Sequence, residues 1–180
     1  KTATCTVTVK VPVSKVTLNK TKLTMGVKET FTLKAKVLPA DATDRKVSFK
    51  SSDGKVVSVK NGNLVAKKKG KANITVTADG KKVVCKLTVK AAPTRKAKVT
   101  LNAKSVKLKL KGKKTFQIKP KVTSKFGSAT FKYTIDKKGK KVVKVDKDGK
   151  VTARKKGMAT ITVKPFNGKG KSAKLKITVK

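Results

Sequence analysis

"VTLN" at Val16 to Asn19 returns at Val99 to Asn102, and from there the chain repeats itself in order. "FTLKAKV" from Phe31 matches "FQIKPKV" from Phe116, and "KVVSV" from Lys55 matches "KVVKV" from Lys141. "KKKGKANITV" from Lys67 matches "RKKGMATITV" from Arg154. The offset between the copies grows from 83 to 90 in small steps, as loop insertions between homologous strands would leave it. A chain of 180 residues built this way is expected to fold as two copies of one module and not as a single large domain.

Within each copy the apolar residues recur at every second position. Phe31, Leu33, Ala35 and Val37 alternate with Thr and Lys, as do Ile74 and Val76, Leu87 and Val89, and Ile161 and Val163. This is the period of a half-buried strand, and no segment shows helical spacing. Turn signals divide the runs: "SSDG", "NGN", "KKKG" and "ADG" in the first copy, "KKG", "KDG", "KKG" and "FNGKG" in the second. About seven short strands per copy, so divided, predict an antiparallel β-sandwich in each.

The copies are parted near "KAAPTRKAK", Lys90 to Lys98, where Pro93 removes a backbone donor, and "KVPVSK" from Lys10 plays the same part before the first copy. The expected division is therefore residues 1–10, 11–92 and 93–180. The opening "KTATCTVTVK" matches the strands ending at Lys90 and Lys180, and is expected to be the closing strand of a preceding module. Thr2 to Val9 should then be extended, with Cys5, Val7 and Val9 exposed unless another sheet edge pairs with them. Short linkers predict a beaded rod with limited bending.

Charge narrows the function. Fifty Lys plus Arg against eight Asp plus Glu give +42, and only Arg45, Arg95 and Arg154 are arginines. Lysine is a hydrated point charge, whereas arginine makes the planar bidentate contacts of specific phosphate or base recognition. The balance describes a solvated cationic surface, with no specific nucleic-acid partner. Aromatic residues are too few for a single-strand stacking platform. With no histidine and two cysteines, neither a His general base nor a Cys/His metal cage can be built, and no cofactor is expected. No run approaches the ~20 apolar residues of a spanning helix, so membrane insertion is not expected.

Several stretches together resemble the bacterial immunoglobulin-like group 2 domain: "VTLN", "LPADAT" (Leu38 to Thr43), "VSFKSSDGKVVSV" (Val47 to Val59), "NGNLVAKKKGKANITVTADG" (Asn61 to Gly80) and "CKLTVK" (Cys85 to Lys90). They cover the first copy almost end to end. The second copy keeps "KDGKVTARKKGMATITV" (Lys147 to Val163) and lacks "PADAT". The resemblance implies an all-β chain of two tandem immunoglobulin-like antiparallel β-sandwiches. It implies work at a bacterial cell surface or in a secreted protein, as a stalk or spacer contributing to cell adhesion, beside neighbouring modules of the same longer chain. It transfers no catalytic residue. Where that family has a Trp before the serine-rich turn, this chain has Phe49 and then Tyr133, a smaller aromatic plug.

Candidate site residues each have a plain structural reading. Cys5 and Cys85 occupy equivalent places in two modules, where the second copy has Leu175, and each shares a face with apolar neighbours. They are expected to be buried free thiols, because cysteines on separate modules do not approach within disulfide reach. "VDKDGKV" (Val145 to Val151) resembles the start of a calcium loop through Asp146 and Asp148, but the later ligands are absent and Lys147 and Lys150 oppose a cation, so a hairpin turn at Asp148-Gly149 is favoured. Asp41 and Asp44 beside Arg45 are expected to form a self-capped loop. Glu29, the lone glutamate, is expected to be an exposed charge partner of a nearby Lys. No nucleophile has a base to activate it and no Lys-Asn-carboxylate triad for an isopeptide bond is visible, so an enzyme is not expected.

The lysine excess has two readings. In "SVKLKLKGKK" (Ser105 to Lys114) apolar residues and Lys alternate, laying ammonium groups on the solvent face. Such rows discourage edge-to-edge pairing and keep arrays soluble. They would also serve a binding module that grips anionic polymers: cell-wall teichoic acid, sulfated or sialylated host glycans, or extracellular DNA.

Overall fold

The computed structural model describes Ala3, Cys5 and residues 7–180. The first half runs β1 (Lys15–Leu18), β2 (Lys22–Gly26), β3 (Thr30–Thr32), β4 (Ala35–Leu38), β5 (Ser48–Ser51), β6 (Val57–Lys60), β7 (Asn63–Ala66), β8 (Gly70–Ala78) and β9 (Lys81–Lys90). The second runs β10 (Val99–Thr100), β11 (Ser105–Leu108), β12 (Thr115–Gln117), β13 (Lys121–Val122), β14 (Phe131–Ile135), one short 3-10 turn (Gly139–Lys141), β15 (Val143–Val145), β16 (Lys150–Ala153), β17 (Gly157–Pro165) and β18 (Ala173–Val179). The chain is all-β, and each half is a sandwich.

In the first half β2-β9-β8-β5 form one sheet, β3-β7-β6 a second, and β1-β4 a two-stranded pair. The second half reproduces this strand for strand, as β11-β18-β17-β14, β12-β16-β15 and β10-β13. Every pairing between these strands is antiparallel except β2 with β9 and β11 with β18, which are parallel. Alternation sends Leu64, Ile74 and Leu87 into one core and Leu108, Ile161 and Ile177 into another, each fully or nearly fully buried. The intervening lysines, Lys107 and Lys109 among them, stay in water.

Each half has nine strands where about seven were expected, because two long runs change sheets midway. The run from Glu29 to Val37 breaks at Leu33 and Lys34: before the break β3 pairs with β7, and after it β4 pairs with β1. Asn19 stands at the matching break between β1 and β2. Its Nδ2 donates to the Thr32 carbonyl (3.2 Å), and its Oδ1 accepts from the Lys34 amide (2.9 Å). Asn102 repeats the arrangement, to the Gln117 carbonyl (3.1 Å) and from the Lys119 amide (2.8 Å). A side-chain amide carries one donor group and one acceptor, like a peptide unit, so it replaces the ladder bonds lost where the strands part. That is the physical content of the repeated "VTLN".

Phe49 and Tyr133 lie over equivalent turn glycines. A Cβ on Gly62 would come 3.2 Å from the Phe49 ring, and one on Gly149 would come 2.5 Å from the Tyr133 hydroxyl. Both glycines have φ near +80°, at 78° and 82°. The turn and the aromatic plug above it therefore specify one another.

Cys85 is buried in β9 opposite Ile74, as Leu175 is opposite Ile161 in β18, and burial pushes its thiol up. Cys5 is free as expected but not the buried thiol its likeness to Cys85 implied; like Val7 and Val9, 79% and 80% exposed, it is in water, as expected for this segment when no sheet edge pairs with it. None of the described residues before Val11 belongs to a strand, so no core is available to receive the thiol. The expected extension of Thr2 to Val9 lies partly outside the described residues.

Replacing Asn19 or Asn102 by Ala is expected to destabilise the half that contains it by about 1–2 kcal/mol, the loss of two backbone partners near solvent. Urea unfolding checks this, and an unchanged midpoint in both variants would contradict the clamp.

Candidate functional site

The region where the two halves meet is the most specifically built part of the surface. Four segments converge there: the turn Gly26 to Glu29 between β2 and β3, the linker Lys90 to Pro93 after β9, the loop Ser124 to Thr130 before β14, and Phe166 to Gly168 after β17.

The turn is a tight one. Lys28 has φ 69°, the Glu29 amide donates to the Gly26 carbonyl (3.0 Å), and the Val27 and Lys28 amides reach the carbonyls of Lys90 (3.0 Å) and Ala66 (2.7 Å). This aims the Glu29 side chain out of its own module and into the next. There the carboxylate is 1% exposed. Oε2 accepts from the Gly26 amide at 2.9 Å, and both oxygens accept from the Ala129 amide at 3.0 Å. Oε1 accepts from the Thr130 amide and the Thr130 hydroxyl, each at 2.7 Å. Every one of these partners is a donor, as an ionised carboxylate requires. Burial pushes the carboxyl above its usual range, while the Thr130 hydroxyl and the amides of Gly26, Ala129 and Thr130 pull it back. Ionising it in the folded protein thus costs more than in the unfolded chain, and the converging donors offset part of that cost.

Backbone contacts complete the joint. Phe126 pairs with Ala91 in a parallel bridge, and the Gly127 amide donates to the Ala91 carbonyl (3.0 Å). Lys90 Nζ donates to the Ser124 carbonyl (2.8 Å), and Asn167 Nδ2 to that of Pro93 (2.7 Å). Gly26 and Gly127 meet main chain to main chain: a Cβ on Gly26 would stand 2.5 Å from the Gly127 carbonyl oxygen. The linker after β9 is thus bound into the second half.

Glu29 is therefore the main correction to the sequence reading. It is buried and bound by backbone donors of the other module, not exposed beside a lysine. The signal was present in the repeat, because "ETF" at Glu29 becomes "KTF" at Lys114 in otherwise matching strands. The backbone is the same at both places, with the Ala66 amide donating to the Glu29 carbonyl (3.0 Å) and the Ala153 amide to that of Lys114 (2.9 Å). Lys114 is exposed. The loop from Ser124 to Thr130 stands where the first copy has "PADAT", and its sequence there is different.

The acids elsewhere shape turns. Asp146 Oδ1 accepts from the Asp148 and Lys150 amides, both at 2.9 Å, which builds the β15–β16 turn on Asp146 with Gly149 at its end. Asp44 Oδ1 accepts from the Lys46 amide (2.9 Å). Among the described residues no three His, Cys, Asp or Glu side chains gather as a metal group would need.

The bacterial Ig-like domain (group 2) family matches residues 12–90. Over 80 residues, 44% of this chain, the sequence is 40% identical to a kappa-carrageenase of Pseudoalteromonas carrageenovora. Over 83 residues it is 42% identical to an Ig-like virion protein of Serratia phage KSP90. The chain spans only 20% of the first protein and 32% of the second. Among solved structures, domains 5-6 of the S-layer protein SbsC align over 93% of this chain and 98% of that chain, at 14% identity and a TM-score of 0.42.

Two predictions follow the geometry. Glu29→Ala should cost about 3 kcal/mol, because charged hydrogen bonds are lost and buried amides left unpaired; Glu29→Gln should cost less but not nothing, since its NH2 would face N–H donors. Urea unfolding of the variants checks both, and wild-type stability in Glu29→Ala would contradict the joint. Tyr133, the one tyrosine, is pushed from 10.0 to about 12 by burial and then by the charges of Asp148 and Asp146. A spectrophotometric titration should find its phenol ionising near that value. The shift is upward, so its stabilising contribution is intact below the ordinary value and lost as pH rises from there to about 12.

Proposed function

We propose, from the match of residues 12–90 to the bacterial Ig-like domain (group 2) family, that this chain is a non-catalytic pair of immunoglobulin-like modules. It works as a stalk or spacer in a bacterial cell-surface or secreted protein and contributes to cell adhesion. The modules comprise residues 11–92 and 93–180. Its partners are then its neighbours in the array.

The observation that carries this reading is the joint. A spacer has to keep its ends at a set distance and orientation, and a flexible tether cannot do so. Here the linker is hydrogen-bonded into the second module through Ala91 and Pro93, and a buried carboxylate of the first module is ligated by backbone amides of the second. The matched stretch is a minor part of a carrageenase and of a virion protein, which fits an accessory module attached to different working domains. Lysine rows on the exposed strand faces suit an array that must not pair edge to edge with its copies.

Spin labels at Lys82 and Lys138, with Cys5 and Cys85 replaced by Ala, test the reading by pulsed dipolar spectroscopy. A single narrow distance distribution is expected. A broad distribution, as for modules that swing independently, would refute the spacer.

A further inference from the structure

The fixed joint leaves a cleft beside it, and the cleft has a composition unlike the rest of the surface. Two adjoining hollows, the larger of about 740 Å³, run between β3 and β7 of the first module and the β14 and β15–β16 region of the second. That size is within the range of small-ligand sites. Phe31, Phe131 and Tyr133 line it, three of the seven aromatic residues in the chain. All three are half-buried, so each presents part of a ring to the opening while its remainder is held in a core. Lys20, Lys22, Lys34, Lys119 and Lys147 stand around them, all exposed, and Asp148 is the single acid.

We propose that this inter-module cleft binds a linear anionic glycan. Three features favour that ligand. Phe31 and Val65 on one side and Phe131 and Tyr133 on the other displace part of the water between the lysines, so the field of the ammonium groups is screened less in the cleft than on an open lysine face. The exposed parts of the three rings offer apolar contact suited to the CH groups of a sugar. No arginine lines the cleft, so the planar bidentate recognition typical of nucleic-acid readers is missing, and half-buried rings cannot sandwich a base. The site exists only while the joint holds, because its walls come from different modules. In this respect the proposal rests on the fixed geometry and goes beyond the spacer role, which needs no ligand.

The experiment compares two variants of equal net charge. One carries Lys22→Glu, Lys119→Glu and Lys147→Glu in the cleft; the other carries Lys46→Glu, Lys82→Glu and Lys138→Glu, three exposed lysines that line neither hollow. Binding of a heparin-derived hexasaccharide, maltohexaose and hexathymidylate is measured calorimetrically at physiological salt, where loose charge contacts are largely screened. Solution scattering confirms that both variants keep the wild-type shape. The expected result is a tenfold or greater loss of heparin-hexasaccharide affinity in the cleft variant and less than a threefold change in the control, with no binding of maltohexaose. Equal losses in the two variants would overturn the proposal in favour of a diffuse cationic field. Absence of heparin-hexasaccharide binding to the wild type would overturn it outright. Hexathymidylate binding as tight as the glycan, with the same dependence on the cleft, would overturn it in favour of nucleic acid. In each of these cases the spacer reading stands or falls separately, on the spin-label distances.

Discussion

One buried carboxylate fixes how the two modules stand to each other. Taking an ion out of water is costly, and Glu29 is tolerated between the modules only because amides of Gly26, Ala129 and Thr130 and the Thr130 hydroxyl all point at it. Such a set of donors is demanding: a shift of one module by an ångström or two would take away the Ala129 and Thr130 donors and leave the charge with the Gly26 amide alone. Apolar contact at the joint could be redistributed by sliding, but this cannot. The carboxylate thereby turns a surface contact into an orientation, and the glycine backbones at Gly26 and Gly127 let the chains come close enough for it to do so. The cleft with its three rings and five lysines follows from that orientation.

The remaining charge is arranged so as not to interfere. With +42 on 180 residues, self-repulsion works against compactness, and the chain meets it by keeping lysines on strand faces in water while alternate positions fill two separate cores. Hairpin turns, the asparagine clamps and the aromatic plugs over Gly62 and Gly149 organise each module locally. The same solution is used twice, down to strand order, so the single acid at the joint is the clearest difference between the copies.

The sequence made the sandwich legible because period-two alternation and Asp-Gly or Asn-Gly turns are local signals. Asp79-Gly80 and Asn61-Gly62 each close a two-residue hairpin with positive φ at both positions, as such dipeptides favour. The sheet switch at Leu33 was hidden, since alternation continues unbroken through it and only a partner strand reveals the change. Asn19 and Asn102 were visible as a repeat without an assignable role, because the bonds they make are to strands thirteen and fifteen residues away. Glu29 was misread for a related reason: its partners lie a hundred residues along the chain, and exposure is the ordinary state of a lone acid among lysines. Aligning the copies and asking why Lys114 replaces it would have been the route to the joint. Cys5 was placed in a core by analogy with Cys85, and the analogy lacked the neighbouring strand that buries Cys85.

The most direct measurement of the central claim is the alignment of each module by residual dipolar couplings in a dilute, uncharged liquid-crystalline medium. If Glu29 locks the joint, the couplings of the two modules in the wild type fit one common alignment tensor, and in Glu29→Ala they require two tensors of different magnitude. Two different tensors in the wild type, or one common tensor that persists in Glu29→Ala, would contradict the account.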